Sequence, residues 1–364
     1  MASSSHITSL PLLFLLSITY LALTVQSGET RPMNNSISAM YVFGDSTVDP
    51  GNNNYILTIS KANWYPYGKD FINHTATGRF TNGKLATDLI ALYIGIKEFL
   101  PAYLDPNICL QDMMSGVSFA SASSGYDPIT AALNNVIHVP KQLDYFKSLK
   151  AKLEQSIGKE RTEEHIKKAL FLISAGTNDF IINYYGGVPY RRNSMSVLEF
   201  QNLVLDQAKK LYQGLWDEGA RRIAVIGLPP MGCVPAVMTL DSLKREGCDE
   251  DRNAVARAYN AMLQKELISM QNKLATNGAK IMYFDIYNSL TSIIQNYTKY
   301  GYDKWDTGCC GTGLIETSVL CNPSSILCPD ASKYVFFDSV HPSQKACQDI
   351  VEILIPTINS IITD

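Results

Sequence analysis

Ser46 closes the segment Phe43-Gly44-Asp45-Ser46 and is the candidate nucleophile. A serine hydroxyl attacks a carbonyl only when a base takes its proton, and the base works best when a carboxylate orients it. Five histidines compete for the role of base. His6 falls in the apolar N-terminal region, and His74 lies inside the polar Asn73-His74-Thr75. His165 sits in a charged helical stretch and is expected at the surface. His138, in Asn135-Val136-Ile137-His138-Val139, reads as a packed or partly exposed ring. His341 differs from the other four. In Phe337-Asp338-Ser339-Val340-His341-Pro342 an acid stands three residues before it and a helical pattern follows. Asp338 can then hold the Nδ1 proton across one turn and leave Nε2 for Ser46.

Acyl transfer also needs donors for the oxyanion of its transition state, each worth about 3 to 4 kcal/mol. Asn178 follows Gly176-Thr177, where the glycine allows close approach. The backbone N–H groups of Ser46 and of the turn Ser121-Ala122-Ser123-Ser124-Gly125 are further candidates.

These residues come from distant parts of the chain, so a scaffold must gather them. Near-continuous apolar runs at Met40–Gly44, Val117–Ala120, Ala169–Ser174, Ile223–Gly227 and Ile281–Phe284 read as strands covered on both faces. Between them, 83–94, 140–154, 198–218, 251–277 and 343–361 carry helical periodicity. Strand alternating with helix predicts an α/β fold: a three-layer α/β/α sandwich around a mostly parallel, doubly wound, five-stranded sheet. Such sheets bind ligands at the carboxyl ends of their strands. Ser46, the 121–125 turn, Asn178 and Leu228-Pro229-Pro230 all follow predicted strands.

The chain has 364 residues, 46% hydrophobic and 18% charged, enough for one large globular domain. A formal net charge of −3 gives no broad attraction to nucleic acid. Leu10 to Leu23 is strongly apolar but shorter than the roughly 20 residues of a spanning helix. It reads as a signal peptide over residues 1–27, leaving 28–364 as a single secreted domain with no integral membrane segment. In an oxidising compartment most of the eight cysteines should pair. Cys233 and Cys248 are a plausible pair. Cys309, Cys310, Cys321 and Cys328 have a spacing that could suit a metal, but their Gly-, Pro- and Ser-rich surroundings without histidine favour a stapled loop. Three glycosylation sequons, at Asn34, Asn73 and Asn296, fit the same compartment.

Four segments together resemble the GDSL esterase/lipase family of the SGNH hydrolase superfamily, in its secreted plant form. They are Phe43-Gly44-Asp45-Ser46 with Asp49-Pro50-Gly51-Asn52-Asn53-Asn54, then Gly116-Val117-Ser118-Phe119-Ala120-Ser121, then Gly176-Thr177-Asn178-Asp179, and finally Asp338-Ser339-Val340-His341-Pro342. The resemblance implies Ser46 as nucleophile, His341 as base, Asp338 as its orienting acid, and Ser46, Ser123 and Asn178 as oxyanion donors. It implies a flavodoxin-like sheet, no cofactor and no metal, and a small-molecule or lipid acyl ester as substrate. Three positions depart from the family pattern. Thr47 stands where the name motif has Leu, Ser118 where Asn is usual, and Ser123 where a Gly is usual. A side chain at that last position would cost about 1 kcal/mol if its φ is positive. Two alternatives use the same fold: an acyltransferase with the same acyl-enzyme, and a catalytically weak secreted protein that binds lipid or glycan.

Overall fold

The computed structural model describes Met1 and residues 37–187, 191–241 and 247–363. The predicted signal segment beyond Met1, and Asn34, lie outside the described residues. Four parallel strands form the main sheet: β1 (Met40–Gly44), β2 (Leu170–Ser174), β3 (Arg222–Ile226) and β4 (Lys280–Phe284), in that spatial order. Their pleat sends alternate residues to opposite faces. Tyr41, Phe43, Phe171, Ile173, Ile223 and Val225 share a core with the helices Val139–Ile157, Val197–Asp217 and Glu250–Leu274. Met40, Val42, Leu170, Leu172, Ala224 and Phe284 share a second core with Ala86–Tyr93, Ile286–Gln295 and Gln344–Ile362. Two cores on two faces make the three layers anticipated from the sequence.

The sheet has four strands rather than five. Val117–Ala120 does run parallel to β1: the Val42 N–H donates to Val117 O at 3.1 Å, and the Phe119 N–H to Val42 O at 2.8 Å. Yet it makes a single isolated bridge to Val42, and Ser118 bridges Ala102 as well. The segment is squeezed at both ends. Gly116 at φ +118° enters against the Met40 backbone, where a Cβ would lie 2.1 Å from Met40 O. At the other end the chain turns back at Ser121, and the Ser124 N–H donates to Ser121 O.

This edge segment fixes where a site can form. From β1 the chain goes outward to Val117–Ala120, then returns to β2 on the other side of β1. The winding therefore reverses at β1, and ligands in open α/β sheets bind at such a reversal, beyond the strands' carboxyl ends. Ser46 lies two residues past the end of β1.

A second, two-stranded parallel sheet pairs β5 (Lys304–Gly308) with β6 (Tyr334–Phe336). Neither strand stands out in the sequence, because β5 is the mostly polar Lys304-Trp305-Asp306-Thr307-Gly308 and β6 spans only three residues. Disulfides Cys309–Cys328 and Cys310–Cys321 staple the loop between them, and Cys233–Cys248 closes a separate excursion. Cys109 is free and exposed; Cys347 is free and buried. His165 departs from expectation. It is half-buried, and burial pushes its imidazole below the ordinary value. It lies beside Ile166, which the helix Lys159–Lys168 buries completely.

Candidate active site

The turn that presents Ser46 is held by its backbone. Gly44 has φ +143°, and a Cβ there would lie 1.8 Å from Ser174 O, so only glycine fits. Gln142, buried in the helix Val139–Ile157, grips this residue twice. Its Oε1 accepts from the Gly44 N–H and its Nε2 donates to Gly44 O, both at 2.8 Å. Asp45 accepts from the Thr47 N–H and hydroxyl. Burial pushes the Asp45 carboxyl up, opposed by those two bonds and by nearby His341.

The helix Gln344–Ile362, capped by the Ser343 hydroxyl, begins three residues after His341 and anchors the other half of the site. His341 Nε2 lies 2.8 Å from Ser46 Oγ, and both residues are buried. His341 Nδ1 lies 2.8 Å from Asp338 Oδ2 and 2.9 Å from Oδ1. Phe80 packs on the imidazole with ring centroids 4.8 Å apart.

Asp338 is fully buried and collects many donors. Its Oδ1 accepts from the Val340 and His341 N–H groups at 2.8 and 2.7 Å. Its Oδ2 accepts from the Tyr67 hydroxyl at 2.7 Å and the Thr317 hydroxyl at 3.0 Å. Burial pushes this carboxyl up, but His341 and the hydrogen bonds outweigh it and hold it below the ordinary carboxylate value.

The 121–124 turn meets Gly44, at the end of β1, from the edge segment. Ser121 N–H donates to Gly44 O, Ala122 N–H to Asp49 Oδ2, and Ser124 N–H to Ser121 O. Among the described residues, the N–H groups of Ser46 and Ser123 have no such acceptor. Ser123 has φ +66°, the left-handed conformation at which a residue other than glycine costs about 1 kcal/mol. Its hydroxyl pairs with Ser60 Oγ at 3.0 Å. Asn178 Nδ2 donates to Ser124 O at 3.0 Å, which ties the loop after β2 to the same turn.

Ser46, Asn178 and His341 line a mainly apolar cavity of about 110 Å³. A hydroxyl against an imidazole, an imidazole against a buried carboxylate, and free N–H groups nearby can together perform nucleophilic acyl transfer. Residues 40–354 match the family model of GDSL-like lipases/acylhydrolases. The chain belongs to this GDSL family. Three Arabidopsis thaliana relatives illustrate the match. GDSL esterase/lipase At5g45960 is 52% identical over 90% of this chain and 88% of its own. GDSL esterase/lipase At2g40250 is 46% identical over 85% and 86%, and GDSL esterase/lipase At1g06990 is 43% identical over 85% of each. The family is one of ester hydrolases, which agrees with the chemistry this constellation allows.

Sequence reasoning overlooked several residues that build the site of this GDSL protein. Tyr67, in an aromatic stretch that carries no motif, ends its hydroxyl on Asp338. The Asp49 to Asn54 run clamps backbone around the site. Asp49 accepts from the N–H groups of Gly51, Asn52 and Ala122. Asn52 donates to Ser118 O and Ala120 O, and Asn53 to Ala122 O. Uncharged amides packed among Gly and Pro are a signal for such backbone clamping. Tyr184 and Tyr185, which follow Asn178 in the chain, pack on each other and on Phe200 and Arg252. They are not among the residues lining the cavity.

Proposed function

We propose that the protein is a secreted serine esterase that cleaves carboxylic esters through an acyl-enzyme on Ser46. The observation that carries this reading is the continuous chain Ser46 Oγ, His341 Nε2, His341 Nδ1, Asp338 Oδ2, with 2.8 Å at both contacts. Ser46 Oγ attacks the ester carbonyl carbon while its proton passes to His341 Nε2. Asp338, kept ionised, stabilises the imidazolium that results. The N–H groups of Ser46 and Ser123 and the Asn178 amide receive the oxyanion. Collapse expels the alcohol, which takes the proton from His341. Water then attacks the acyl-enzyme and gives its proton to His341; collapse returns that proton to Ser46 Oγ and releases the acid.

Secretion is supported by the apolar Leu10–Leu23 run and by three disulfides, which persist in oxidising compartments. Asn73 is exposed and open to a glycan, whereas Asn296 is half-buried and donates to Ser292 O.

The test is Ser46→Ala. Hydrolysis of p-nitrophenyl acetate should fall about 10⁶-fold. The melting temperature should stay near wild type, and labelling by a fluorophosphonate should vanish. A variant that still turns over at the wild-type rate would refute the assignment.

A further inference from the structure

The cavity at Ser46 leads into the protein. Beyond Ser46 and His341 it is lined by Ile90, Leu290, Phe336, Cys347 and Ile350, each at most 5% exposed. These side chains come from three helices and β6, all on the second face of the sheet. Core residues of that face therefore wall it, and the reacting atoms line it as well. Apolar cavities of about 150 Å³ stay dry and admit a benzene-sized guest. About 110 Å³ matches a hydrocarbon segment of roughly four to six carbons.

Only one half of an ester suits a pocket walled by core residues in this position. The alcohol must leave after acylation, and water must then reach the same carbon. An alcohol held in the pocket would be trapped behind the acyl-enzyme. The acyl group stays on Ser46 through both steps and can remain buried throughout. Cys347 fits a hydrocarbon wall: it is unpaired, and burial pushes its thiol up to about 12, so it stays neutral.

We infer that this cavity is the acyl pocket and restricts the enzyme to esters of short acyl chains, up to about six carbons, with Cys347 in the wall that sets its size. The inference rests on Ser46 as the acylated residue.

The experiment measures kcat/KM for p-nitrophenyl esters from acetyl to dodecanoyl, each as dissolved monomer. Each methylene buried in the pocket should raise kcat/KM about fourfold. The rate should peak between butyryl and hexanoyl and fall at least tenfold by dodecanoyl. Cys347→Leu should move the peak to a shorter chain, and Cys347→Ala to a longer one. If the leucine variant does not fold, the alanine variant carries the test by itself. A rate that keeps rising to dodecanoyl, or a peak that neither variant moves, overturns the inference. Fluorophosphonate labelling of Ser46 in the same samples separates the two ideas. An unlabelled Ser46 defeats the esterase reading, whereas a labelled enzyme with an indifferent length profile defeats only the pocket.

Discussion

Asp49 and Asp338 are both completely buried, and both belong to loops that meet at Ser46, yet burial has opposite outcomes for them. Asp49 is surrounded by backbone N–H donors from Gly51, Asn52 and Ala122. Burial exceeds their effect and pushes its carboxyl up to about 6. Asp338 suffers the same burial but faces an imidazole and two hydroxyls besides backbone donors, and its carboxyl is held down. A ring able to carry positive charge separates the two environments. Asp49 clamps a loop, which it can do while partly protonated. Asp338 must stay ionised if it is to stabilise an imidazolium, and its surroundings keep it so.

The largest effect should come from breaking the Asp338 side. Asp338→Asn keeps the shape but gives up the charge, and the amide can no longer accept from every donor now aimed at it. By analogy with other serine hydrolases, kcat should drop about 10⁴-fold, with a near-native circular dichroism spectrum. A loss below tenfold would mean that Asp338 does not orient His341.

A smaller effect should appear in stability against pH, with opposite signs for the two residues. A carboxyl raised in the folded state adds stability that is complete below its unfolded value, near 4, and is lost as pH rises through its folded value. Asp49 at about 6 and Asp179 at about 7, the latter also raised by burial, both act this way. Asp338, held low, adds stability above pH 4 that is lost only as the solution becomes more acidic. Unfolding free energy should therefore decline between pH 4 and pH 8, with about 3 kcal/mol of that decline due to Asp49. Asp49→Asn should be less stable overall, because its amide meets the Ala122 N–H. It should also flatten the slope between pH 4 and pH 6. Urea titrations at a series of pH values read both, and an unchanged slope would remove Asp49 as its source.

The same contrast explains what the sequence could and could not disclose. Asp338 and His341 are three residues apart, so their pairing was legible as a local pattern. The four strands were legible as near-continuous apolar runs, and the five long helices because each repeats a periodicity over many residues. Tyr67 is 271 residues from Asp338, and nothing local to it distinguishes its hydroxyl from those of other tyrosines. The pairing within Cys309, Cys310, Cys321 and Cys328 depends on the fold of one loop, which spacing leaves open. The positive φ at Ser123 could be anticipated only because a glycine is usual there, and the structure contains it at +66°. The fifth strand failed because a four-residue apolar run does not reveal whether it pairs along its whole length.

The finest probe of the comparison is Tyr67→Phe, which removes one donor from Asp338 and leaves its charge in place. The Tyr67 hydroxyl donates to Asp338 Oδ2 and accepts from the Ser318 N–H at 2.8 Å, so it links the carboxylate to the disulfide-stapled loop. Its ring is packed between Phe80 and Phe337, and phenylalanine preserves that packing. A hydrogen bond to a charged group is worth about 1.5 to 3 kcal/mol, but only the part that differs between ground and transition state reaches the rate. About a tenfold loss in kcat is expected. The direction of the pH profile is the sharper readout. With one donor fewer, the Asp338 carboxyl is held down less firmly and takes up its proton at a higher pH. The acid limb of kcat/KM should therefore move to higher pH. A merely structural role for Tyr67 would lower the rate uniformly and leave that limb where it was.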